Sequence, residues 1–483
     1  MNNTTTTTTA SIIVVGDAMI DAYYYANVKK HAPEAAHVPV HDVFSSDCKL
    51  GGACNVALSL HNLGSDVEFV GVVGDDPCGA QIETMMRSSN LKHKLFVDNT
   101  RKTTQKNRVL HNDELACRFD VEDTSDIPAH LQTAILTHIE SNANIRVIVI
   151  SDYNKGVITT ELCQSIISYA NRNGVPTFVD PKVSNWHKYK HCFLFKPNAV
   201  ESEQITNETT IDRIVNAIHD RIECKNVLIT LGEHGMIFSD KPDIKDNVTT
   251  RAIRHDGLIH KKDVTGAGDV VLSVLVHMYG KSNNVMEACR VANYVAGKSV
   301  GVVGNYNVGP SDIDDYYANE HRNDTKNDNS CHAKIMFDYE CDKIAELSNR
   351  KGVVFTNGCF DILHSAHIKC LQYCKSQGDV LVVGLNDDNS IKKNKGPERP
   401  INDVDERATM LSLFDFVDYI IIFSDETPLN ILQLLKPCKM IKGGDYAVEN
   451  IVGAEHANEV LLFDYISGKS TSNVVNKFKT ILQ

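Results

Sequence analysis

Asp269 stands at the end of a short Gly-rich run, Thr265-Gly266-Ala267-Gly268, just ahead of an apolar helical pattern over 270–278. Glycines let the chain turn tightly and leave backbone N–H groups open. The start of the following helix adds unpaired donors and the positive end of its dipole. Such a cradle stabilises an anion, and a carboxylate beside it can take a proton from an attacking hydroxyl. That is the chemistry of phosphoryl transfer. A Gly-x-Gly alone is a weak signal, since an Asp in a first helical turn also serves the helix dipole. Other residues add to it. Asp17 and Asp21 follow the first apolar run, where they can hold a sugar's hydroxyls. Gly51, Gly52 and Asn55 open another helix and let a ligand approach the backbone. Asn198 and Glu201 form an N-x-x-E pattern, whose acid can organise Mg²⁺ and water near the phosphates of ATP. Thr230, Gly232 and Gly235 follow a further apolar run as a nucleotide-side turn.

A second set lies late in the chain. Asn357, Gly358, Phe360 and Asp361 follow an apolar run and lead to His364-Ser365-Ala366-His367. Two histidines at i,i+3 share a helical face. At a helix N-terminus they can contact nucleotide phosphates and stabilise the charge that develops as pyrophosphate leaves. The pair also suits a metal, but no third ligand accompanies it at a recognisable spacing. Lys395 and Arg399 flank a Gly/Pro-marked loop suited to closing over a triphosphate. Lys442, Gly443 and Asp445 follow another apolar run. Ser470, Thr471 and Ser472 precede the last helical pattern and offer hydroxyls beside a helix N-terminus.

These residues need a frame. The chain has 483 residues, enough for two to four domains. Apolar, β-branched runs at 12–15, 67–73, 147–150, 177–179 and 227–230 alternate with helical patterns. Continuous apolar strands between helices indicate a mostly parallel sheet covered on both faces. Ligands bind such sheets beyond the carboxyl ends of the strands. Runs at 353–356, 380–384, 419–423 and 440–442 repeat the style on a smaller scale. The polar, Asn/Asp-rich stretch 320–331 separates the two halves. The expected organisation is a disordered Thr-rich tail at 1–10, an α/β domain at 11–318, a linker at 319–333 and a second α/β domain at 334–483.

The net charge of −13 argues against a broad nucleic-acid surface. No apolar run reaches the roughly 18 residues of a membrane span. The Thr tract lacks the basic start of a signal peptide. Fourteen cysteines include no C-x-x-C pair, so a reducing, cytoplasmic setting without disulfides is expected.

The first set of motifs, over about 12–310, resembles the ribokinase-like sugar kinases. Asp263-Val264-Thr265-Gly266-Ala267-Gly268-Asp269 matches a subgroup spelling of their motif, and the resemblance makes Asp269 the catalytic base. Ala32-Pro33-Glu34, Val38-Pro39-Val40 and Ser151-Asp152-Tyr153-Asn154-Lys155-Gly156 are similar to heptose-7-phosphate kinases, with the stretch at 35–37 one residue longer. Lys106, Arg108 and Arg118 fall in that family's substrate region, as partners for the sugar's own phosphate. The second set, over about 351–482, resembles the H-x-G-H nucleotidyltransferases, specifically the heptose-1-phosphate adenylyltransferases. Here Ala366 stands where that motif has Gly. Ala favours a helix by up to about 1 kcal/mol over Gly, but its methyl stands where a nucleotide approaches the backbone.

The order of the halves resembles the bifunctional heptose kinase/adenylyltransferases. The resemblance implies a ribokinase-like domain followed by a Rossmann-like nucleotidyltransferase domain. It also implies ATP and sugar phosphates as substrates, Mg²⁺, and a homodimer through the kinase half, with no nucleic-acid or membrane partner. Two other readings stay open: an inactive, nucleotide-binding second half with a regulatory role, and a different sugar phosphate or nucleotide.

Overall fold

The computed structural model describes residues 11–112, 114–241, 248–253, 266–301, 306–323, 334–338, 341–396, 398–443 and 451–463. The chain divides into two compact units, Met1–Arg322 and Asn323–Gln483.

In the first unit the apolar runs become a nine-stranded sheet. Ser11–Gly16 lies third from one edge, parallel to Val67–Gly74 on one side and Ile145–Ser151 on the other. Thr177–Asp180, Leu194–Phe195 and Asn226–Thr230 continue the parallel ladder. Met236–Asp240 and Thr249–Ile253 close that edge antiparallel, and Lys92–Asp98 forms the other edge. The register sets Gly16 beside Ser151 and Ser151 beside Asp180. The loops that carry Asp17 and Tyr153 thus leave the same end of the sheet. Helix Ala267–Ser282 covers a face, with Val270 to Met278 buried in the main core.

A four-stranded sheet was not legible in the apolar pattern. Ala18–Ala32 and Ala35–Gly52 pair antiparallel, Thr104–His111 joins the first of them parallel, and Glu114–Val121 completes the order. Every residue of Glu114–Val121 is exposed, and Phe44 and Leu115 are also at the surface. Strands that bury so little need no continuous apolar run.

The second unit is a six-stranded parallel sheet in the order Ile335–Phe337, Tyr419–Phe423, Val380–Asn386, Val353–Gly358, Lys439–Gly443, Glu459–Phe463. Strand order reverses between Val353–Gly358 and Lys439–Gly443, which opens a crevice at their carboxyl ends. The expected linker begins later than its composition indicates. Helix Pro310–Asn323 runs on through Glu320, His321 and Arg322. Polar composition does not by itself end a helix. The tail at 1–10 and residues 324–333 lie outside the described residues.

Candidate active sites

Gly266 adopts φ 76°, in the left-handed region, and starts the helix that carries Asp269 in its first turn. Asn55 Nδ2 donates to Asp269 Oδ2 at 2.8 Å, and the Tyr153 hydroxyl donates to Oδ1 at 2.5 Å. Burial pushes the Asp269 carboxyl up to about 6, against the pull of these two hydrogen bonds. Asp180 and Lys196, paired at 2.9 Å, face it with opposite effects. Lys196 is buried, and its Nζ lies 3.7 Å from where a Cβ on Gly268 would sit. A cation thus stands behind the Gly-rich turn. Thr265 lies outside the described residues.

The sugar side holds both signs of charge. Asp21 Oδ1 pairs with Arg108 Nη1 at 2.6 Å, and both are largely buried. Gly51 lets Asp21 come close: a Cβ there would fall 2.4 Å from Oδ2. Gly52, at φ 57°, opens the helix Ala53–Asn62 that presents Asn55. Lys106 lies 4.9 Å over the Tyr153 ring. Burial pushes its pKa down, Asp21 raises it, and Arg118, Lys155 and Arg108 add to the lowering. Two of the expected residues also bind the chain itself. Asp17 accepts the backbone N–H groups of Tyr153, Lys155 and Val157 at 2.7, 3.1 and 3.2 Å, so its carboxylate anchors a loop. Arg118 is held by both oxygens of its strand neighbour Asp120.

On the nucleotide side, Asn198 and Glu201 form a reciprocal cap of helix Ala199–Thr206. Glu201 Oε2 accepts the Asn198 N–H at 3.0 Å, while Oε1 faces Lys182 Nζ at 3.4 Å. Thr230 bridges to Asn198 across the strand end. Gly232 and Gly235 take φ 63° and 86° in the turn that follows.

In the second unit, Asn357 and Lys442 end the two strands that flank the crevice, and Lys442 Nζ donates to Asn357 Oδ1 at 2.6 Å. His364 is the N-cap residue of helix Ser365–Ser376. Its ring stacks on His367 with centroids 3.8 Å apart and planes at 14°. Burial, with His364 and Lys395 nearby, pushes His367 down to about 4, so its imidazole is neutral near pH 7. Phe360 sits at φ 46°, its ring 5.2 Å from that of His367 and close above Gly358. Asp361 accepts the Ile401 and Asn402 N–H groups at 2.8 and 3.1 Å and pairs with Arg399 Nε at 2.6 Å. It therefore ties down the loop after Lys395, which ends helix Asp388–Lys395. A Cβ on Gly443 would lie 3.5 Å from the Cys370 thiol, an ordinary contact. Asp445, Ser470, Thr471 and Ser472 lie outside the described residues.

Comparison with known proteins matches this two-part geometry. The pfkB family carbohydrate kinase model matches residues 9–312, and the cytidylyltransferase-like model matches 355–475. The bifunctional protein HldE of Aliarcobacter butzleri is 38% identical over 475 residues, covering 96% of each chain. The chain belongs to the HldE family. Its counterparts in Sulfurimonas denitrificans and Helicobacter hepaticus are 36% and 37% identical, again over 96% of each chain. Among solved structures, phosphofructokinase-2 from Escherichia coli in complex with potassium has a TM-score of 0.55 at 18% identity, over 65% of this chain and 100% of its own. Ribokinase from Giardia lamblia has 0.52 at 17%, over 65% and 99%. The first unit therefore has the ribokinase-like fold. As a member of the family the chain is an enzyme, a carbohydrate kinase joined to a nucleotidyltransferase.

Three side chains central to these sites were missed in the sequence. Lys196 stands two residues before Asn198, and its place at a strand end was the available signal. Tyr153 carried only a resemblance. Arg407 carried none, yet it is wholly buried. Its guanidinium donates to the carbonyls of Cys359, Asn386 and Asn402 at 2.7, 2.8 and 3.0 Å and to Asp388 at 2.6 Å, joining the loops around the crevice.

Proposed function

We propose that the first unit phosphorylates O1 of D-glycero-D-manno-heptose 7-phosphate with ATP, and that the second transfers AMP from ATP to heptose 1-phosphate. The products are the 1,7-bisphosphate, then ADP-heptose and pyrophosphate. A separate phosphatase must remove the 7-phosphate between the two steps. The observation that carries the reading is Asp269, held at both oxygens beside a Gly-rich helix start with Lys196 behind it.

In the kinase step, Asp269 takes the O1 proton as that oxygen bonds to the γ-phosphorus. The bond to the bridging oxygen breaks and ADP leaves. The Gly266 to Gly268 turn and Lys196 face the transferring group; positioning and charge do most of the work. Asp21, Asn55 and Lys106 orient the sugar, with Arg108 and Arg118 adding positive charge on that side. Among the described residues no three acidic, His or Cys side chains converge as a metal cage. A lone carboxylate such as Glu201 fits a hydrated Mg²⁺ that enters with the nucleotide and acts through water. That ion would offset phosphate charge.

In the second step, an oxygen of heptose 1-phosphate bonds to the α-phosphorus as pyrophosphate leaves. Neutral His367 and its partner His364 act as hydrogen-bonding groups, and Lys395, Arg399 and Lys442 supply positive charge. The exposed face of Glu114–Val121, with Leu115 and Phe119, supports a homodimer through the first unit. The twelve cysteines whose side chains are described are free thiols, in keeping with a reducing cytoplasm. Ala366 favours the second reading, a nucleotide-binding regulatory half.

The test is to supply Mg-ATP and heptose 1-phosphate and to measure ADP-heptose and pyrophosphate, with Ala366→Gly alongside and heptose 7-phosphate phosphorylation in parallel. Product from the unaltered chain is expected. Kinase activity without ADP-heptose from either protein would sink the second step and leave the regulatory reading.

A further inference from the structure

The stretch from Ser151 to Gly156 leaves the carboxyl end of strand Ile145–Ser151, and the chemistry above gives its tyrosine no part. Three kinds of contact meet on that residue. The Tyr153 backbone N–H is anchored on Asp17 at 2.7 Å. Its hydroxyl donates to Asp269 at 2.5 Å. Lys106 and Lys182 lie over its ring, 4.9 and 5.6 Å from the centroid. Lys106 comes from Thr104–His111, the strand beside Asp21, whereas Lys182 reaches Glu201 on the nucleotide side. One side chain therefore touches the carboxylate and a cation from each side of the site.

We propose that Tyr153 is a positioning residue for the kinase reaction: its hydroxyl fixes the carboxylate of Asp269 and its ring seats Lys106 for the sugar's phosphate. This rests on Asp269 being the base.

A carboxylate has about four acceptor positions. Asn55 and Tyr153 occupy one on each oxygen, which stops the group from rotating and leaves room for the substrate's hydroxyl. Burial and the charges of Asp269 and Asp180 push the Tyr153 phenol well above its ordinary pKa, so it remains a donor at working pH. A hydrogen bond to the charged form favours that form, so Tyr153 opposes the burial that raises the Asp269 pKa. Among the described residues, the leading charged groups that act on Asp269 are Asp180 and Lys196, and both survive removal of the phenol oxygen. The ring has a separate effect. Lys106 is partly desolvated among Arg108, Arg118 and Lys155. An aromatic face attracts such an ammonium and holds it in place.

Tyr153→Phe removes the hydroxyl and keeps the ring; Tyr153→Leu removes both. In the full chain, kcat/KM for heptose 7-phosphate is measured from pH 5.5 to 8.5 and divided by the unaltered protein's value, so that the substrate's own titration cancels. For Tyr153→Phe the acid limb should move up by about one pH unit. That shift makes the variant roughly fivefold slower at pH 6 and nearly unchanged at pH 8, with KM unaltered. Tyr153→Leu should add a several-fold rise in KM for the sugar phosphate. A ratio for Tyr153→Phe that is flat across pH overturns the hydroxyl's role, and an unchanged KM in Tyr153→Leu overturns the ring's. Circular dichroism and the melting temperature of the same preparations report that the first unit is folded. Asp269→Asn separates the two levels. If it keeps full kinase activity, the base assignment falls and Tyr153 with it; if it is inactive while the Tyr153→Phe ratio stays flat, only Tyr153 is misassigned.

Discussion

Asn55 Nδ2 donates to Asp269 Oδ2 across 214 positions of sequence, at 2.8 Å. The bond joins the first turns of two helices, Ala53–Asn62 and Ala267–Ser282, which pack together in the core of the first unit. It secures a carboxylate that the fold would otherwise prefer to keep protonated.

That preference makes Asp269 a burden on stability. Its carboxyl is raised from 3.8 to about 6 by burial. A folded-state pKa above the unfolded one stabilises the fold below pH 3.8, and this contribution is lost as pH rises through 6. Relative to acid conditions the loss is on the order of 3 kcal/mol. Asp269→Asn should therefore melt a few degrees higher at pH 8 and no higher at pH 4, while kinase activity drops at least about a hundredfold. Calorimetry at the two pH values checks this. An equal or lower melting temperature at pH 8 would contradict the burial argument.

Gly16 is required by close approach. A Cβ there would fall 2.1 Å from the Ser151 carbonyl oxygen and 2.6 Å from the Ala53 Cβ. Both neighbours are fixed, one by the parallel ladder and one by helix Ala53–Asn62. Gly16→Ala should destabilise the first unit by more than about 3 kcal/mol, seen as lost soluble yield or a much lower denaturation midpoint. Gly280 is the contrast: it lies within a helix, and a Cβ there meets nothing within 4 Å. Gly280→Ala should be neutral or stabilise by up to about 1 kcal/mol. Equal behaviour of the two variants would refute the packing argument.

Arg407 holds three carbonyls and a carboxylate from inside the second unit. Arg407→Met keeps apolar volume but leaves all four acceptors unmet. Removing one partner of a buried pair costs on the order of 3–5 kcal/mol. The expected result is loss of adenylyl transfer and earlier unfolding of the second unit, with heptose 7-phosphate phosphorylation retained. Normal ATP binding and turnover in the second unit would show that the loops hold without it.

Several residues read as ligand holders turned out to bind the chain itself. Asp17 and Asp361 both follow strands, as a substrate-binding acid would. Both also accept backbone N–H groups from loops that would otherwise lack partners. Sequence position cannot separate these roles, because a carboxylate at a strand end serves either. Asn198 and Glu201 show the same overlap: an N-x-x-E spacing is also a helix-capping pattern.

The α/β character of both halves, the strands at 12–15, 147–150 and 353–356, and the helix starts just before Asp269 and His367 were determined by the sequence itself. Their signals are local: continuous apolar runs where both faces are covered, and glycine or a cap where a helix begins. The tertiary structure alone decided the four-stranded sheet with its exposed edge strand Glu114–Val121, the burial of Arg407, and the meeting of Asn55, Tyr153 and Asp269. Half-exposed strands carry little hydrophobic pattern. The partner of a buried polar group is set by which loops leave the same end of the sheet, and that depends on strand order and register between segments far apart in the chain.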